Sequence, residues 1–133
     1  MHGVAIRPGK PTILGRAGRA LFWGLPGQPV SALITCRAFV LPSLRKLQGM
    51  METELEHTRV LGAVLNRQLP SVHGRTDYVP VSLSRGSDAS IEASPVFGKS
   101  GAISTLARAD GYVVIPEHVE GLDKGTEVSV FLF

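Results

Sequence analysis

Five short segments in the second part of the chain place the tightest limit on its fold. Each is rich in Val, Ile, Leu or Tyr, and polar turn residues separate it from the next. Val128, Val130 and Leu132 are apolar and fall at every second position, which is the period of a strand with one buried face. Five short strands joined by polar turns are typical of a small antiparallel sheet or barrel. The segments are HTRVLGAVLN, RTDYVPVSLS, ASIEASPV, DGYVVIPE and EVSVFLF.

The first fifty residues have a mixed pattern of strands and helix. A short apolar run at residues 3–6 predicts a buried strand, and two β-leaning runs across residues 12–24 predict a hairpin. From Pro29 onward, apolar residues recur every three or four positions, which predicts a helix. Pro42 lies within this run and predicts a kink or a break near Leu41. The sequence therefore predicts an α/β segment followed by a β-rich one.

The distribution of acidic and basic residues also changes near residue 50. Of the 133 residues, the first fifty contain seven Lys and Arg but no Asp or Glu, and the remainder contains seven Lys and Arg with all eleven acids. Clustered cations raise the local concentration of anions, so we expect the first part to face an anionic partner. The break predicts two domains, residues 1–50 and residues 51–133, joined near residues 49–54.

Composition excludes several classes of protein. Hydrophobic residues make up 44% of the chain and charged residues 19%, which allows a packed core and argues against disorder. A single cysteine, Cys36, leaves no partner for an internal disulfide, and no histidine has a second metal ligand at a suitable spacing. No apolar run approaches the roughly 18 residues of a membrane span, and the N-terminus lacks the apolar core of a signal peptide, so we expect a cytoplasmic protein. Aromatic residues are too few, at 6%, for a basic aromatic surface that binds nucleic acid.

The highest density of turn-forming Gly and Pro residues lies immediately before the predicted helix, in GLPGQPVS. Pro26 and Pro29 stiffen this loop, and Gly27 lets the backbone approach a ligand closely. The start of the helix carries unpaired N–H groups and partial positive charge, which suit an anion. The alternative is an ordinary turn between a strand and a helix. The same choice holds for RPGKP, where Arg7 and Lys10 flank a tight turn: either the pair clamps a phosphate, or both cations are solvated.

Two further groups of polar residues leave alternatives open. Residues 102–109 predict a short helix, and Ser100 is either its N-cap or, with Lys99, part of a second anion site. The acids show no spacing typical of a catalytic pair or a magnesium site. Turn chemistry is therefore the simplest explanation of the four aspartates that lie beside turn-like residues. These are Asp77, Asp88, Asp110 and Asp123.

Three motifs together resemble those of one family. AIRPGKP, GLPGQPVSAL and SGAISTLARADGYVVIPE occur in this order, and all three are similar to motifs of the MoeA family, the molybdopterin molybdenumtransferases related to the gephyrin E domain. Family members are longer, and this chain resembles their C-terminal portion. The resemblance implies an α/β remnant, made of a strand, a hairpin and a helix of the molybdopterin-binding domain. A small all-β barrel, called domain IV, follows it.

The resemblance also implies an activity. The family inserts molybdenum from molybdate into adenylylated molybdopterin with release of AMP, assisted by a divalent cation such as Mg²⁺. Its members act as homodimers with the site in a cleft between subunits, and a molybdopterin adenylyltransferase is an implied partner. The resemblance places the catalytic and metal-binding acids upstream of residue 1, so we expect no metal ligand and no activity in this chain alone. The open alternatives are a stand-alone anion-binding module and a dimerisation module without catalysis.

Matched residue by residue, the resemblance implies substrate-binding roles in this chain. Pro26 and Pro29 match the two prolines of the family's GLPGNPVS loop, in which Gln28 replaces the usual asparagine. Arg7 matches a position that is often lysine, and it adds a forked donor to the same charge. Ser100 matches a serine that the barrel contributes to the cleft. The implied substrate-binding residues are Arg7, Lys10, Pro26, Gly27, Pro29 and Ser100.

Overall fold

The computed structural model of the chain describes residues 2–50, 60–98 and 103–133. Within these ranges there are ten β-strands, three α-helices and one π-helical segment. The strands are β1 (Ile6–Arg7), β2 (Ile13–Ala17), β3 (Ala20–Gly24), β4 (Val60–Leu65), β5 (Leu69–Pro70), β6 (Thr76–Arg85), β7 (Ile91–Pro95), β8 (Gly111–Ile115), β9 (Gly121–Leu122) and β10 (Glu127–Leu132). The helices are α1 (Pro29–Thr35), α2 (Leu41–Leu47) and α3 (Ile103–Ala107), and the π-helical segment is Cys36–Val40.

Five strands close into a small barrel in the order β6, β7, β4, β10 and β8, and β8 returns to β6. Closure requires a neighbour on each side of β6, and Val81 pairs with Pro95 of β7 and with Gly111 of β8. The neighbouring strands are antiparallel except β4 and β7, which run parallel. The predicted small β-barrel is confirmed. The expectation of an antiparallel arrangement throughout is wrong, because the connection from β4 to β7 crosses over through β6.

The barrel core is filled by alternate side chains of its strands. Val81 and Val130 are fully buried there, and neighbours at two-residue spacing pack beside them, as the alternation predicts. Leu69 of β5 adds to them from outside the five strands, and the buried core residues are Ala63, Leu65, Leu69, Val81, Ala93, Val113, Ile115 and Val130. Tyr78, Tyr112 and Phe131 occupy intervening positions and belong to a second apolar cluster. The wall formed by β6, β8 and β10 is therefore apolar on both faces.

Helix α1 covers the outer face of this wall. Val30 and Ile34 are four residues apart, and so lie on one side of the helix, where they are buried against Tyr112. Strand β1 extends the barrel as a parallel neighbour of β6. The first part of the chain, residues 2–50, therefore shares a buried interface with the barrel. The division into two domains stays a prediction, because most of the proposed junction lies outside the described residues.

The predicted hairpin is formed by β2 and β3. Pairing reaches Ala17 and Ala20, which leaves a two-residue connection that begins at Gly18 with φ +59°. A positive φ at this position is typical of the tight turns that match the twist of a hairpin. Leu21 and Phe22 are successive residues on opposite faces of β3, and they are 47% and 52% exposed. Each face of the hairpin therefore carries an exposed apolar side chain.

The helical run passes through Pro42 without ending. Proline has no N–H group and cannot bond to the carbonyl four residues back. One turn is widened instead: Cys36–Val40 is π-helical, and the N–H of Leu41 bonds to the carbonyl of Cys36. Helix α2 then begins at Leu41. The disturbance predicted near Leu41 is therefore a widened turn that precedes the proline.

Candidate functional site

A cleft of about 920 Å³ lies between the first part of the chain and the barrel. The first part contributes β1, the turn after it, and the loop that leads into α1. The barrel side contributes β5, the segment between β5 and β6, residues 78–80 of β6 and the segment after β7, together with one residue of α3. The lining residues are 6–11, 26–28, 30, 31, 69–72, 75, 78–80, 96–98 and 105.

Most of the predicted substrate-binding residues meet in this cleft. Those that line it are Arg7, Lys10, Pro26 and Gly27. Pro29 is the first residue of α1, directly after the loop, and does not line the cleft. Ser100 lies outside the described residues. The structure therefore brings together the two turns that the sequence singled out, and their substrate-binding roles are a proposal.

The RPGKP turn is fixed against the end of α1. Gly9 has φ +117°, and a Cβ there would lie 2.8 Å from Cδ1 of Ile6 and 2.8 Å from Oγ1 of Thr35, so another residue would be both strained and crowded. The buried Thr12 hydroxyl donates to the Gly9 carbonyl at 2.7 Å, and Thr12 Oγ1 lies 3.3 Å from Thr35 Oγ1. The two cations that flank this turn are thereby held at the cleft.

The GLPGQPVS loop presents open space beside the start of α1. Pro26 is buried, whereas Gly27 is exposed, and no atom lies within 4 Å of the position of a Cβ at Gly27. Gln28 is the N-cap with an extended backbone, and its side chain does not cap the first turn. Packing among the described residues therefore does not require glycine at position 27. The free space is compatible with the predicted approach of a ligand.

Asp77 is a buried acid on β6 that joins arginines from the two parts of the chain. Its side chain is fully buried. Oδ2 lies 2.7 Å from Nη2 of Arg7 and accepts a hydrogen bond from the Ser71 hydroxyl at 2.9 Å. Oδ1 accepts a hydrogen bond from Nε of Arg75 at 2.9 Å. Both carboxylate oxygens are satisfied, as the burial of a charge requires.

The sequence interpretation of Asp77 as a turn residue is wrong, because it lies in the ten-residue strand β6. The interpretation is confirmed at Asp88, whose carboxylate accepts hydrogen bonds from both the hydroxyl and the N–H of Ser90. The bond from the hydroxyl makes the larger contribution, and both bonds lower the pKa of Asp88. Arg75 was not among the residues predicted from the sequence. The available signal was the two-residue spacing in RTD, which places Arg75 and Asp77 on one face of a strand.

The described lining of the cleft combines positive charge with apolar surface. Its charged side chains are all cations, namely Arg7, Lys10 and Arg75. The side chains of Arg7 and Arg75 are 52% and 31% exposed, so donors that Asp77 does not use are accessible. Beside them, Val72 and Phe97 are at least half exposed. Cations next to exposed apolar side chains suit an organic anion.

Four hydroxyl-bearing residues are among those that line the cleft, and two of them, Tyr78 and Thr105, are at least partly buried in its wall. Burial, with a smaller contribution from the charge of Tyr112, raises the pKa of Tyr78, which keeps this phenol protonated at neutral pH. The hydroxyl of Thr105 is buried and has no hydrogen-bond partner within the described ranges. Both groups add polar atoms to a wall that is otherwise largely apolar.

The described ranges contain neither a cluster of metal ligands nor a membrane-spanning helix. No group of three or more His, Cys, Asp or Glu side chains there is placed to hold a metal ion. Among the helices of the same ranges, none has the length and apolar character needed to cross a bilayer.

Comparison with known families identifies the second part of the chain. Residues 62–133 match the family model described as the MoeA C-terminal region (domain IV). This segment holds nearly all of the barrel, from β4 to β10.

Similar proteins extend the match over nearly the whole chain. A Methanocaldococcus jannaschii protein named for molybdopterin biosynthesis is 36% identical over 132 residues, which are 99% of this chain and 29% of that protein. Molybdopterin molybdenumtransferase 2 of Mycobacterium tuberculosis is 33% identical over 128 residues, which are 96% of this chain and 30% of that enzyme. The crystal structure of a molybdopterin biosynthesis MoeA protein from Pyrococcus horikoshii has a TM-score of 0.79 and 39% identity, and the match covers 98% of this chain and 31% of that one.

The chain spans about 30% of the length of these relatives. The likeness of the solved structure includes the α/β elements of the first part as well as the barrel, because it covers nearly the whole chain. The resemblance carried by the three sequence motifs is therefore confirmed. Because the family model matches more than half of its residues, the chain belongs to the MoeA family and carries the C-terminal region, domain IV.

Proposed function

We propose that this chain is the C-terminal part of a molybdopterin molybdenumtransferase. Such an enzyme acts in molybdenum cofactor biosynthesis, where it inserts molybdenum from molybdate into adenylylated molybdopterin with release of AMP. The observation that carries this proposal is the cleft, in which the RPGKP turn and the GLPGQPVS loop face the barrel. The Mycobacterium tuberculosis relative supports it, since that protein is named as this enzyme.

The cleft is suited to the anionic substrate. Arg7 and Lys10 bind phosphate oxygens through charge-assisted hydrogen bonds, and the fork of Arg7 can take two oxygens at once. The GLPGQPVS loop adds first-turn N–H groups of α1, and the exposed ring of Phe97 offers apolar surface to the pterin. The proposed substrate-binding residues are Arg7, Lys10, Pro26, Gly27, Pro29 and Ser100.

The described residues do not fit the Mg²⁺ that the resemblance implies. Hard cations are held mainly by carboxylates, and no suitable group of acids occurs in the described ranges. We therefore expect the 133-residue chain to bind substrate without turning it over. The assay supplies adenylylated molybdopterin, molybdate and Mg²⁺ and follows AMP release. Turnover by the purified chain, abolished by a substitution in the GLPGQPVS loop, would place the active site within these residues and contradict the expectation.

Titration with adenylylated molybdopterin tests the proposed binding site. Arg7→Ala removes a cation of the cleft, whereas Arg45→Ala removes one from α2, outside the cleft. Hydrogen bonds to charged groups contribute roughly 1.5–3 kcal/mol, so we expect Arg7→Ala to weaken binding by about tenfold or more. Arg45→Ala should stay within about twofold of the unmodified chain. Circular dichroism checks that both variants remain folded. Equal effects of the two substitutions would show that Arg7 is a solvated cation that does not bind the ligand directly.

The proposal also includes the assembly and location of the protein. We propose a homodimer in the cytoplasm, with a molybdopterin adenylyltransferase as the partner that supplies the adenylylated substrate. The exposed Leu21 and Phe22 on the two faces of the hairpin favour a second candidate, a dimerisation module without catalysis. Light scattering of the chain and of Phe22→Ser over a range of concentrations tests this candidate. A dimer that Phe22→Ser dissociates supports it, and monomers throughout exclude it for this chain.

A further inference from the structure

Asp77 lies where the two parts of the chain meet beside the cleft. Strands β1 and β6 pair in parallel with Arg7 opposite Asp77, and Nη2 of Arg7 lies 2.7 Å from Oδ2 of Asp77. Arg75, on the barrel side, donates from Nε to Oδ1 at 2.9 Å. The Ser71 hydroxyl donates to Oδ2 at 2.9 Å. One carboxylate therefore holds one guanidinium from each part of the chain.

The exposure of the three charged side chains separates their roles. Asp77 is fully buried, whereas Arg7 and Arg75 are partly exposed and line the cleft. A guanidinium carries five N–H donors, so each arginine can bond inward to Asp77 and still present donors to a ligand. Asp77 itself does not line the cleft. It can act on a ligand in the cleft only through the two arginines.

We propose that Asp77 is a positioning residue: it fixes the guanidiniums of Arg7 and Arg75 so that they bind one tetrahedral oxyanion together. This inference rests on the function proposed above, because it concerns the same cleft. A phosphate group of the substrate and molybdate itself both present such an oxyanion. The carboxylate also lowers the net positive charge of the site by one unit. Its positioning of the arginines therefore strengthens oxyanion binding, whereas its charge weakens it.

Asp77→Asn separates these two effects. The amide keeps the size of the side chain and an acceptor for Ser71, but it loses the charge that holds both arginines. If net charge dominated, the added positive charge, roughly 6 Å from a monoanion in water, would tighten binding about threefold. If positioning dominates, the two guanidiniums repel each other and sample other conformations. At metal sites, loss of a contact that orients a ligand side chain lowers affinity by roughly 10- to 100-fold, and we expect a weakening at the lower end of this range, about tenfold.

The affinity test titrates the 133-residue chain with inorganic phosphate and, separately, with molybdate at constant ionic strength. Glu127→Gln is the matched control, because it makes the same carboxylate-to-amide change on β10, outside the cleft. We expect Asp77→Asn to bind about tenfold more weakly and Glu127→Gln to stay within about twofold. Weakening for both probes supports a shared oxyanion site. Weakening for one alone supports the positioning role and assigns the site to that oxyanion.

A second measurement needs no ligand. Nitrogen-15 relaxation of the Arg75 Nε–H group reports picosecond to nanosecond order of the side chain. We expect this group to be as ordered as the backbone in the unmodified chain and mobile in Asp77→Asn. If Asp77 only filled space in the fold, Asp77→Asn would lower the melting temperature without releasing this group. If Arg75 is already mobile in the unmodified chain, the proposal is overturned even if Asp77→Asn fails to fold.

The outcomes distinguish this inference from the proposed function. An unmodified chain that binds neither phosphate nor molybdate contradicts the anion-binding cleft and, with it, the role of Asp77. An unmodified chain that binds both, with equal or tighter binding by a folded Asp77→Asn variant, overturns the positioning role alone.

Discussion

Truncation of Ile34 measures how strongly helix α1 is bound to the barrel. This side chain is fully buried and packs beside Val30 against Tyr112. Ile34→Ala removes three carbon atoms at about 0.8 kcal/mol each, and the cavity that remains adds to the loss. We expect the free energy of unfolding to fall by about 3 kcal/mol. That is a large fraction of the roughly 5–15 kcal/mol that stabilises a typical domain.

Urea denaturation with two probes follows both parts of the chain. Trp23, the single tryptophan, lies on β3 and reports on the first part by fluorescence, while far-ultraviolet circular dichroism includes the barrel strands. Because the two parts share a buried cluster, we expect one transition that Ile34→Ala shifts equally for both probes. Leu47→Ala is the control, since this aliphatic side chain on α2 is 68% exposed and its truncation should cost less than about 0.5 kcal/mol.

Two results would refute this reasoning. Separate transitions in the unmodified chain, or a shift of the Trp23 signal alone in Ile34→Ala, would show that the barrel is stable without α1. A loss comparable to that of Leu47→Ala would show that Ile34 is not part of a packed interface.

Alkaline pH is expected to destabilise the fold. Burial raises the pKa of Tyr78 and of Tyr112, opposed in Tyr112 by the charge of Arg37, so the folded state holds these protons more tightly than the unfolded state. The stability they contribute is present below the ordinary tyrosine pKa of 10.0 and is lost as the pH rises through the higher folded values. Urea titrations at roughly pH 9–11 should show this fall, and Tyr112→Phe should reduce it; an unchanged fall would assign it to other groups. Limited proteolysis is expected to cut first within residues 49–54, at the proposed domain junction, and uniform resistance there counts against two domains.

The barrel was predictable because its signals are local and periodic. The alternation in residues 128–132 places Val130 in the core, as a two-residue period requires. The parallel pairing of β4 and β7 was not predictable in this way, because the choice of a neighbouring strand depends on contacts between distant segments. Strands β5 and β9 were also missed, since two residues are too few to show a period.

The candidate site was only partly predictable, for a related physical reason. Turn chemistry and the sign of the charge were sufficient to select Arg7, Lys10 and the GLPGQPVS loop. Asp77 was misinterpreted because its neighbours in sequence resemble a turn, whereas it is buried in a strand that pairs with β1, near the N-terminus. A buried acid whose partner comes from a distant strand has no local signature, and Arg75 was missed with it.

Nuclear magnetic resonance titration of the chain with adenylylated molybdopterin tests most directly whether the cleft is the anion-binding surface. Backbone amide shifts report which residues the ligand contacts. We expect the largest changes at Arg7, Lys10, Gly27 and Arg75, which line the cleft, and little change near Val128, which does not. Changes confined to the β2–β3 hairpin, or spread over the surface without a cluster at the cleft, would contradict the assignment.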